Sequence, residues 1–313
     1  MSGFKSIFAK HLESYVKLNR GLGLSFENQE DRLLAFDRFV CERNHQTLLS
    51  QELALAFATS DARASGNTIH RRYLVVRRFS EYLSAFEPRT PALDLNAVRR
   101  HWQQPPPYIL TENEQAQLLA RAANYSPRFP ALSRAIHAML GLAMSTGLRL
   151  REVLSLDIKD VNFESNLLII RDSKFHKDRL VAMHPTTTDV LRAYAAHRLV
   201  TCSAFFVTTK AQRFKARNVE YIFRQLVSKL ALQSPTSKPP TFRSLRHTFA
   251  VNRLAGWYRA GQDVQAMLPA LATFMGHVHY TSTAYYLNAT AELLDLAAER
   301  LATAPKEVSC GQK

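Results

Sequence analysis

The sequence has few cysteines and no long apolar run. Its three cysteines, Cys41, Cys202 and Cys310, are far apart and form no CxxC pair. This pattern indicates neither a disulfide framework nor a zinc site, and it favours a reducing compartment. The most apolar stretch, AIHAMLGLAM at 135–144, is too short to span a bilayer, and the first residues are interrupted by charge every few positions. We therefore expect a cytoplasmic protein that is neither secreted nor inserted in a membrane.

Motifs for phosphate and metal chemistry are missing as well. The sequence has no glycine-rich phosphate loop, no HExxH, no GxSxG and no carboxylate cluster of the kind that holds magnesium. We expect no cofactor and no metal, so any chemistry must come from side chains alone.

Positive charge is abundant. Lysine and arginine number 41 against 26 aspartates and glutamates, which gives a formal net charge of +15. Such a balance favours an extended anionic partner, with DNA and RNA as the leading candidates. The alternative is a charge that serves only solubility.

Residues 1–100 show apolar positions at helical spacing throughout, which predicts a small helical bundle. In the third helix, one buried stripe is expected to contain Ile69, Tyr73, Val76, Phe79 and Leu83. Arg71 and Arg78 then share the outer face, with Arg72 beside them. All three are candidates for contact with a phosphate backbone, and the alternative for each is a solvated helix face.

A proline-rich linker at 101–110 separates this bundle from a second domain, because three consecutive prolines forbid a helix. Thr111 and Glu114 then form a predicted capping box. We expect the second domain to cover 111–304, with a flexible tail at 305–313.

The second domain mixes helices with a small sheet. A helix is predicted to end at Gly147, followed by a short helix and three strands, DVNF, NLLIIRD and RLVAMH. Further helices are predicted at 186–198, 217–231, 244–260, 263–275, 280–287 and 290–302. The expected fold class is therefore mainly α with a small β-sheet, arranged as a helical bundle followed by an α+β domain.

Scattered cations and two adjacent tyrosines stand out in this second domain. They are Arg149 in TGLRLRE, Lys174 in DSKFHKDR, Arg243 and Arg246 in FRSLRH, His277 in MGHVHY, and Tyr285 and Tyr286. Adjacent helical residues point about 100° apart, so at most one of the two tyrosines can face a group of cations.

In this order the motifs resemble the tyrosine recombinase (phage integrase) family. STGLRLREVLSLDIKDV resembles its first-arginine box, SKFHKDRLVAM its lysine-bearing turn, SLRHTFA its second-arginine box and MGHVHYTSTAYY its nucleophile segment. The helical first domain is similar to the core-binding domain with which the family embraces DNA. The segments QDVQAMLPALATFM and YYLNATAELLDLAAERL resemble the transposon-associated, Tn554-like branch.

The resemblance implies a nucleophile. Family spacing places it nine positions after His277, at Tyr286, and leaves Tyr285 as an ordinary amphipathic tyrosine. The phenol would attack a DNA phosphate, form a 3′-phosphotyrosyl link and free a 5′ hydroxyl that attacks the equivalent link on a partner duplex. Bond energy is retained in the intermediate. The resemblance implies that neither ATP nor a metal is required, in agreement with the missing motifs.

The resemblance also implies roles for the cations. Arg149 and Arg246 would grip the scissile phosphate with their guanidinium forks. Lys174 would protonate the leaving 5′ oxygen, with Lys177 as the competing candidate. His277 would hydrogen-bond the phosphate, and the alternative is a histidine that satisfies carbonyls at a helix C-terminus.

One position departs from the family pattern. The family has a histidine three residues before its second arginine, and here that position is Arg243, which cannot accept the tyrosine proton. We expect Arg243 to lower the pKa of Tyr286 electrostatically instead. Glu152 is expected to brace the arginines, and His247 to be a packed polar residue rather than a catalyst.

The predicted function is site-specific DNA recombination for integration, excision or transposition of a mobile element. Double-stranded DNA is the expected partner, bound by a homo- or hetero-tetramer that could include related recombinases. TAELLDLAAERLAT is either a helix that reaches a neighbouring protomer or one packed at home. Two alternatives are an inactive DNA-binding accessory factor, favoured only by Arg243, and a type IB topoisomerase that relaxes supercoiled plasmid without a specific site.

Overall fold

The computed structural model describes most of the chain. The described residues are 3–99, 107–173, 177–198, 202–230, 232, 238–277, 281–288 and 291–303. Contacts divide the chain into two compact units, Met1–Gln104 and Pro105–Lys313. Most of the predicted linker at 101–110 and the whole predicted tail at 305–313 lie outside the described residues. Among those residues, we find no helix with the length and apolar character that crossing a membrane requires.

The first unit is a bundle of helices. Its described helices are α1 (Ala9–Gly21), α2 (Glu27–Glu42), α3 (Gln51–Ala58) and α4 (Gly66–Leu83). Helices α3 and α4 begin at Ser50 and Ser65, whose hydroxyls accept backbone N–H groups of the first turn. Of the predicted stripe, Tyr73, Val76, Phe79 and Leu83 are buried and Ile69 is partly buried. Aromatic side chains pack edge to face in this core, in the pairs Phe8 with Phe79, Tyr15 with Phe26 and Phe36 with Phe57.

The second unit begins with helices and a short sheet. In order these are α5 (Glu112–Ala123), α6 (Pro130–Thr146), α7 (Leu150–Ser155), a 3₁₀ helix (Ile158–Asp160), β1 (Val161–Asn162), β2 (Leu167–Ser173) and β3 (Lys177–Ala182). The predicted capping box is present, because Thr111 Oγ1 accepts the Glu114 N–H at 3.2 Å and Glu114 accepts the Thr111 N–H at 2.9 Å.

The sequence predicted three strands, and the three described strands form an antiparallel sheet in the order β1, β2, β3. Leu168 pairs with Val161 on one side and Val181 on the other, and the register shifts between Ile170 and Ser173. Leu168 and Val181 are fully buried, so the sheet contributes to the larger core.

Helices complete the second unit. They are α8 (Pro185–Ala196), α9 (Ala216–Ser228), α10 (Phe242–Arg259), α11 (Val264–Met275), α12 (Thr281–Ala284), a 3₁₀ helix (Tyr285–Asn288) and α13 (Ala291–Thr303). The helix predicted at 280–287 is thus split in two, and the others lie within three residues of their predicted bounds. The predicted fold class, mainly α with a small β-sheet, is confirmed.

A second, smaller core forms around the C-terminal half of α10. It contains Leu254 and Leu268, and it also buries Tyr286 and Leu293. Leu293 belongs to α13, so in this single chain α13 packs against its own α10 and the 3₁₀ helix at 285–288. This packing holds the segment that carries both tyrosines against α10.

Candidate active site

Two helices of the second unit end at left-handed glycines. Gly147, with φ 64°, ends α6, and Gly276, with φ 66°, ends α11. After α11 the N–H of Gly276 donates to Thr273 O and that of His277 to Ala272 O, which is the Schellman arrangement. Both helix ends therefore present terminal carbonyls and the negative end of a helix dipole.

Arg246 of α10 bridges the two helix ends. Its Nη1 donates to Gly147 O at 2.7 Å and its Nη2 to Met275 O at 2.7 Å. The residue is only 4% exposed. Burial, and then the nearby Arg149, lower the pKa of Arg246 to about 10, so the guanidinium remains charged at neutral pH. A buried cation is thus held where two helix dipoles favour it.

Glu152 ties together two further arginines. Its carboxylate accepts Arg149 Nη1 at 2.7 Å and both Nη groups of Arg179, at 3.1 and 2.9 Å. Arg149 Nη2 also donates to Gly276 O at 3.2 Å. Burial raises the pKa of Glu152, but the hydrogen bonds and charges of the two arginines outweigh it, and the pKa lies below its usual range. The predicted bracing role of Glu152 is confirmed for Arg149, and its second partner is Arg179 rather than Arg246.

Arg179 of β3 is a residue that the sequence reasoning missed. Its Nε donates to Phe274 O at 3.0 Å, so it too holds the end of α11. The fit is close, since a Cβ placed on Gly276 would lie 2.8 Å from Arg179 Nη1. A signal existed, because an arginine on the inward face of a strand needs a buried partner. In RLVAM, however, the residues after the arginine are all apolar, so the sequence does not show which face of the strand is buried.

His277 lies between Arg246 and the nucleophile segment. Its Nε2 is 2.8 Å from Arg246 Nη2, and its Nδ1 is 2.7 Å from Thr283 Oγ1. An arginine nitrogen can only donate, so Nε2 accepts and the ring proton belongs on Nδ1, donating to Thr283. Burial, followed by the positive charge of Arg246, lowers the pKa of His277 to about 3, so the ring is neutral.

The two tyrosines occupy opposite environments. Tyr286 is 3% exposed and faces the cations, whereas Tyr285 is 39% exposed. The Tyr286 ring stacks on that of His277, with centroids 6.3 Å apart. Its hydroxyl lies 3.0 Å from Nδ1 of His247, so His247 contacts the candidate nucleophile rather than only filling space.

The expected effect of Arg243 on the pKa of Tyr286 is present, but it does not set the net direction. Arg246 and Arg243 do act to lower the pKa of Tyr286, but burial raises it by more, and the balance lies above the ordinary value. Arg243 itself is exposed on the first turn of α10.

Four more predicted site residues, and the competitor Lys177, remain beyond this cluster. Lys174 lies outside the described residues, as does the side chain of its competitor Lys177, so the choice between them stays a prediction. In the first unit Arg71 and Arg78 are exposed. Arg72 is partly buried, 3.7 Å from Asp61.

The described part of the chain contains no group of three or more His, Cys, Asp or Glu side chains that could hold a metal ion. What the site does contain is cationic: three arginines around one carboxylate, two neutral histidines and a buried phenol. The second unit combines this cluster with helices and a short antiparallel sheet, and this combination agrees with the tyrosine recombinase class.

Comparisons with known proteins agree with that class. The model of the phage integrase family matches residues 109–292. A protein of Sinorhizobium fredii named as the integrase/recombinase y4rE is 37% identical over 305 residues, which is 96% of this chain and 97% of that protein. The chain belongs to the phage integrase family, and the resemblance inferred from the motifs is confirmed.

Solved structures share the fold. The Tn1549 transposon integrase in complex with transposon right end DNA has a TM-score of 0.66 and 19% identity, over 93% of this chain and 99% of that one. A lambda integrase tetramer bound to a Holliday junction has a TM-score of 0.63 and 17% identity, over 87% and 77%. The names of these proteins and of the relative above contain the words integrase or recombinase, which is the function class that the sequence predicted.

Proposed function

We propose that the protein cuts and rejoins double-stranded DNA at specific sites through a covalent link between Tyr286 and a 3′ phosphate. One observation carries the proposal: the buried Tyr286 ring stacks on that of His277, and His277 is bonded to Arg246 at the end of α11. Tyr285, the competing nucleophile, is exposed and outside the cluster.

The arginines supply the charge that this chemistry needs. Attack on a phosphodiester builds negative charge on its non-bridging oxygens, and preorganised cations stabilise that charge. Arg149 and Arg243 are accessible enough to meet an incoming phosphate. Three of the five N–H donors of Arg246 are used within the protein, and we assign the remainder to the phosphate.

We assign the leaving group's proton to Lys174. An ammonium group carries the proton that the departing 5′ oxygen requires. Lys174 supplies a proton, four arginines supply positive charge and the phenol is the nucleophile. Each step therefore uses groups of the protein itself. The reaction should therefore proceed without a divalent metal or ATP.

The first unit supports DNA binding. Arg71 and Arg78 are exposed on one helix, and the whole chain carries a net charge of +15. We propose that this unit contacts the duplex through these arginines. The lambda integrase tetramer on a Holliday junction and the Tn1549 integrase on transposon DNA suggest a tetrameric assembly on a mobile element's ends.

A trapping experiment tests the proposal. Nicked DNA from the ends of the surrounding element loses its short 5′-hydroxyl strand after cleavage, so a covalent adduct should accumulate in EDTA. The Tyr286→Phe variant should form none, and Tyr285→Phe should match the natural protein. Tight DNA binding with no adduct from the natural protein would contradict the proposal and favour an accessory DNA-binding factor. Relaxation of plasmid without any specific site would point to a topoisomerase.

A further inference from the structure

Where the family has a histidine that could accept the tyrosine proton, this chain has Arg243. The phenol of Tyr286 has a different hydrogen-bond partner. His247, one residue after Arg246 on α10, places Nδ1 3.0 Å from the Tyr286 hydroxyl, with ring centroids 5.5 Å apart. Both side chains are held in place. Tyr286 is almost fully buried in the core around α10, and His247 is fixed by its position on a long helix.

The other groups near this phenol cannot accept a proton. The charges that act on Tyr286 come chiefly from Arg246 and Arg243, and guanidiniums have donors but no acceptor. Two rings also lie nearby. Tyr285, whose ring centroid is 5.7 Å from that of Tyr286, is a neutral phenol and a far weaker base than an imidazole, and His277 uses its Nε2 to accept from Arg246 and its Nδ1 to meet Thr283. Among the described residues, His247 is therefore the histidine whose ring nitrogen lies within hydrogen-bond distance of the Tyr286 hydroxyl.

The charge state of His247 fits an acceptor. Burial, followed by the positive charges of Arg243 and Arg246, lowers the pKa of His247 to about 4, so the ring is neutral near pH 7. A neutral imidazole has one acceptor nitrogen. A phosphodiester bound between these arginines brings a negative charge that offsets their repulsion, so His247 becomes a stronger base when the substrate arrives.

We propose that His247 accepts the hydrogen bond of the Tyr286 phenol at Nδ1 and takes its proton during DNA cleavage. This inference rests on the proposed function. It assigns the task that Arg243 cannot perform to a histidine four positions further along the same helix.

The proton and electron transfers balance. As the phenol oxygen bonds to phosphorus, the O–H bond of Tyr286 breaks and its proton moves to His247 Nδ1. At the same time the bond from phosphorus to the 5′ oxygen breaks, and that oxygen takes a proton from Lys174. When the 5′ hydroxyl attacks to rejoin the strand, it returns a proton to Lys174, and the departing phenol oxygen recovers its proton from His247.

Single-turnover cleavage of nicked DNA across pH 6 to 9.5 tests the proposal with His247→Ala and His247→Asn. Asparagine keeps an oxygen near the position of Nδ1 but cannot take a proton. Both variants should cleave at least about 100-fold more slowly than the natural protein at pH 7. Their rates should rise with pH more steeply than that of the natural protein, because the phenol then ionises without a base. His137→Asn, at another half-buried histidine, is the matched control and should leave the rate unchanged.

A modified substrate separates the nucleophile from the leaving group. Sulfur in place of the bridging 5′ oxygen leaves without a proton, so this DNA should rescue Lys174→Ala but neither His247 variant. Gel-shift affinity and thermal unfolding check that the variants bind DNA and fold. Nitrogen NMR of histidine-labelled natural protein adds a test without substitution: Nδ1 of His247 should be unprotonated, and a proton there would contradict the proposal.

The outcomes distinguish this inference from the proposed function. If the natural protein forms an adduct and His247→Asn cleaves equally fast at every pH, proton transfer to His247 is ruled out while the recombinase function stands. Rescue of His247→Ala by the sulfur substrate would also overturn the inference. If the natural protein forms no adduct at all, the proposed function fails and the role of His247 fails with it.

Discussion

At the scale of single residues, the decisive feature is how differently two neighbouring tyrosines are placed. Tyr286 is buried beside two histidines, and Tyr285 is 39% exposed. The sequence could predict that only one of them faces the cations, because adjacent residues on a helix diverge in direction. Choosing Tyr286 required the spacing from His277 that the family resemblance supplies.

Glu152 should be the residue on which the cationic site depends most. Glu152→Gln leaves the buried Arg179 and the nearby Arg149 without their shared carboxylate. Breaking such a buried pair costs about 3–5 kcal/mol, and we expect that loss in the free energy of unfolding measured with urea. Asp189→Asn removes the exposed partner of Arg192 and should cost less than about 1 kcal/mol. Equal effects of the two changes would contradict the bracing role.

At the scale of elements, the ends of α6 and α11 build the site. Gly147→Ala should be strongly destabilising, because φ is +64° and the new Cβ would lie 2.5 Å from Phe249 Cδ1. We expect a loss of about 2–4 kcal/mol in the free energy of unfolding.

Gly261→Ala is a matched control for this change. Its φ is +67°, but nothing lies within 4 Å of a new Cβ, so the cost should be only the backbone strain of about 1 kcal/mol. Chemical denaturation of both variants measures the difference, and similar losses would show that the contact with Phe249 is unimportant.

The exposed arginines of α4 lead to a separate prediction about DNA binding. Arg71→Gln and Arg78→Gln should each make the slope of log affinity against log salt shallower by roughly 0.9, because each removes one phosphate contact. Arg72→Gln should change the slope less, since Arg72 is partly buried near Asp61 and Phe57. Binding titrations at several salt concentrations decide the matter, and unchanged slopes for Arg71 and Arg78 would remove α4 from the DNA contact.

Elements were easier to predict than the contacts between them. The capping box at Thr111 and the glycine that ends α6 are local signals, and both were predicted correctly. The contacts of Arg179 and His247 join segments far apart in the chain, and a periodic pattern holds no information about such distances. The net direction of the Tyr286 pKa was missed for a similar reason, because burial of a phenol depends on packing by α13 and α10.

At the scale of the whole molecule, stability should depend on keeping His247 and His277 neutral. Their pKa values, about 4 and about 3, lie below the ordinary value of about 6.5, so the unfolded chain binds more protons as pH falls. The stabilisation is complete above about pH 6.5 and is lost progressively as pH falls towards 4. Thermal unfolding should therefore occur at lower temperatures in this range. In His247→Asn the dependence on pH should be shallower by at most one proton, and an unchanged profile would contradict the neutral state of His247.

The central claim concerns one covalent bond, and mass spectrometry measures it directly. The natural protein is trapped on nicked DNA, digested with nuclease and protease, and the peptide that contains both tyrosines is fragmented. The account predicts a nucleotide attached through phosphate to Tyr286. Attachment to Tyr285, or to any other residue, would contradict it.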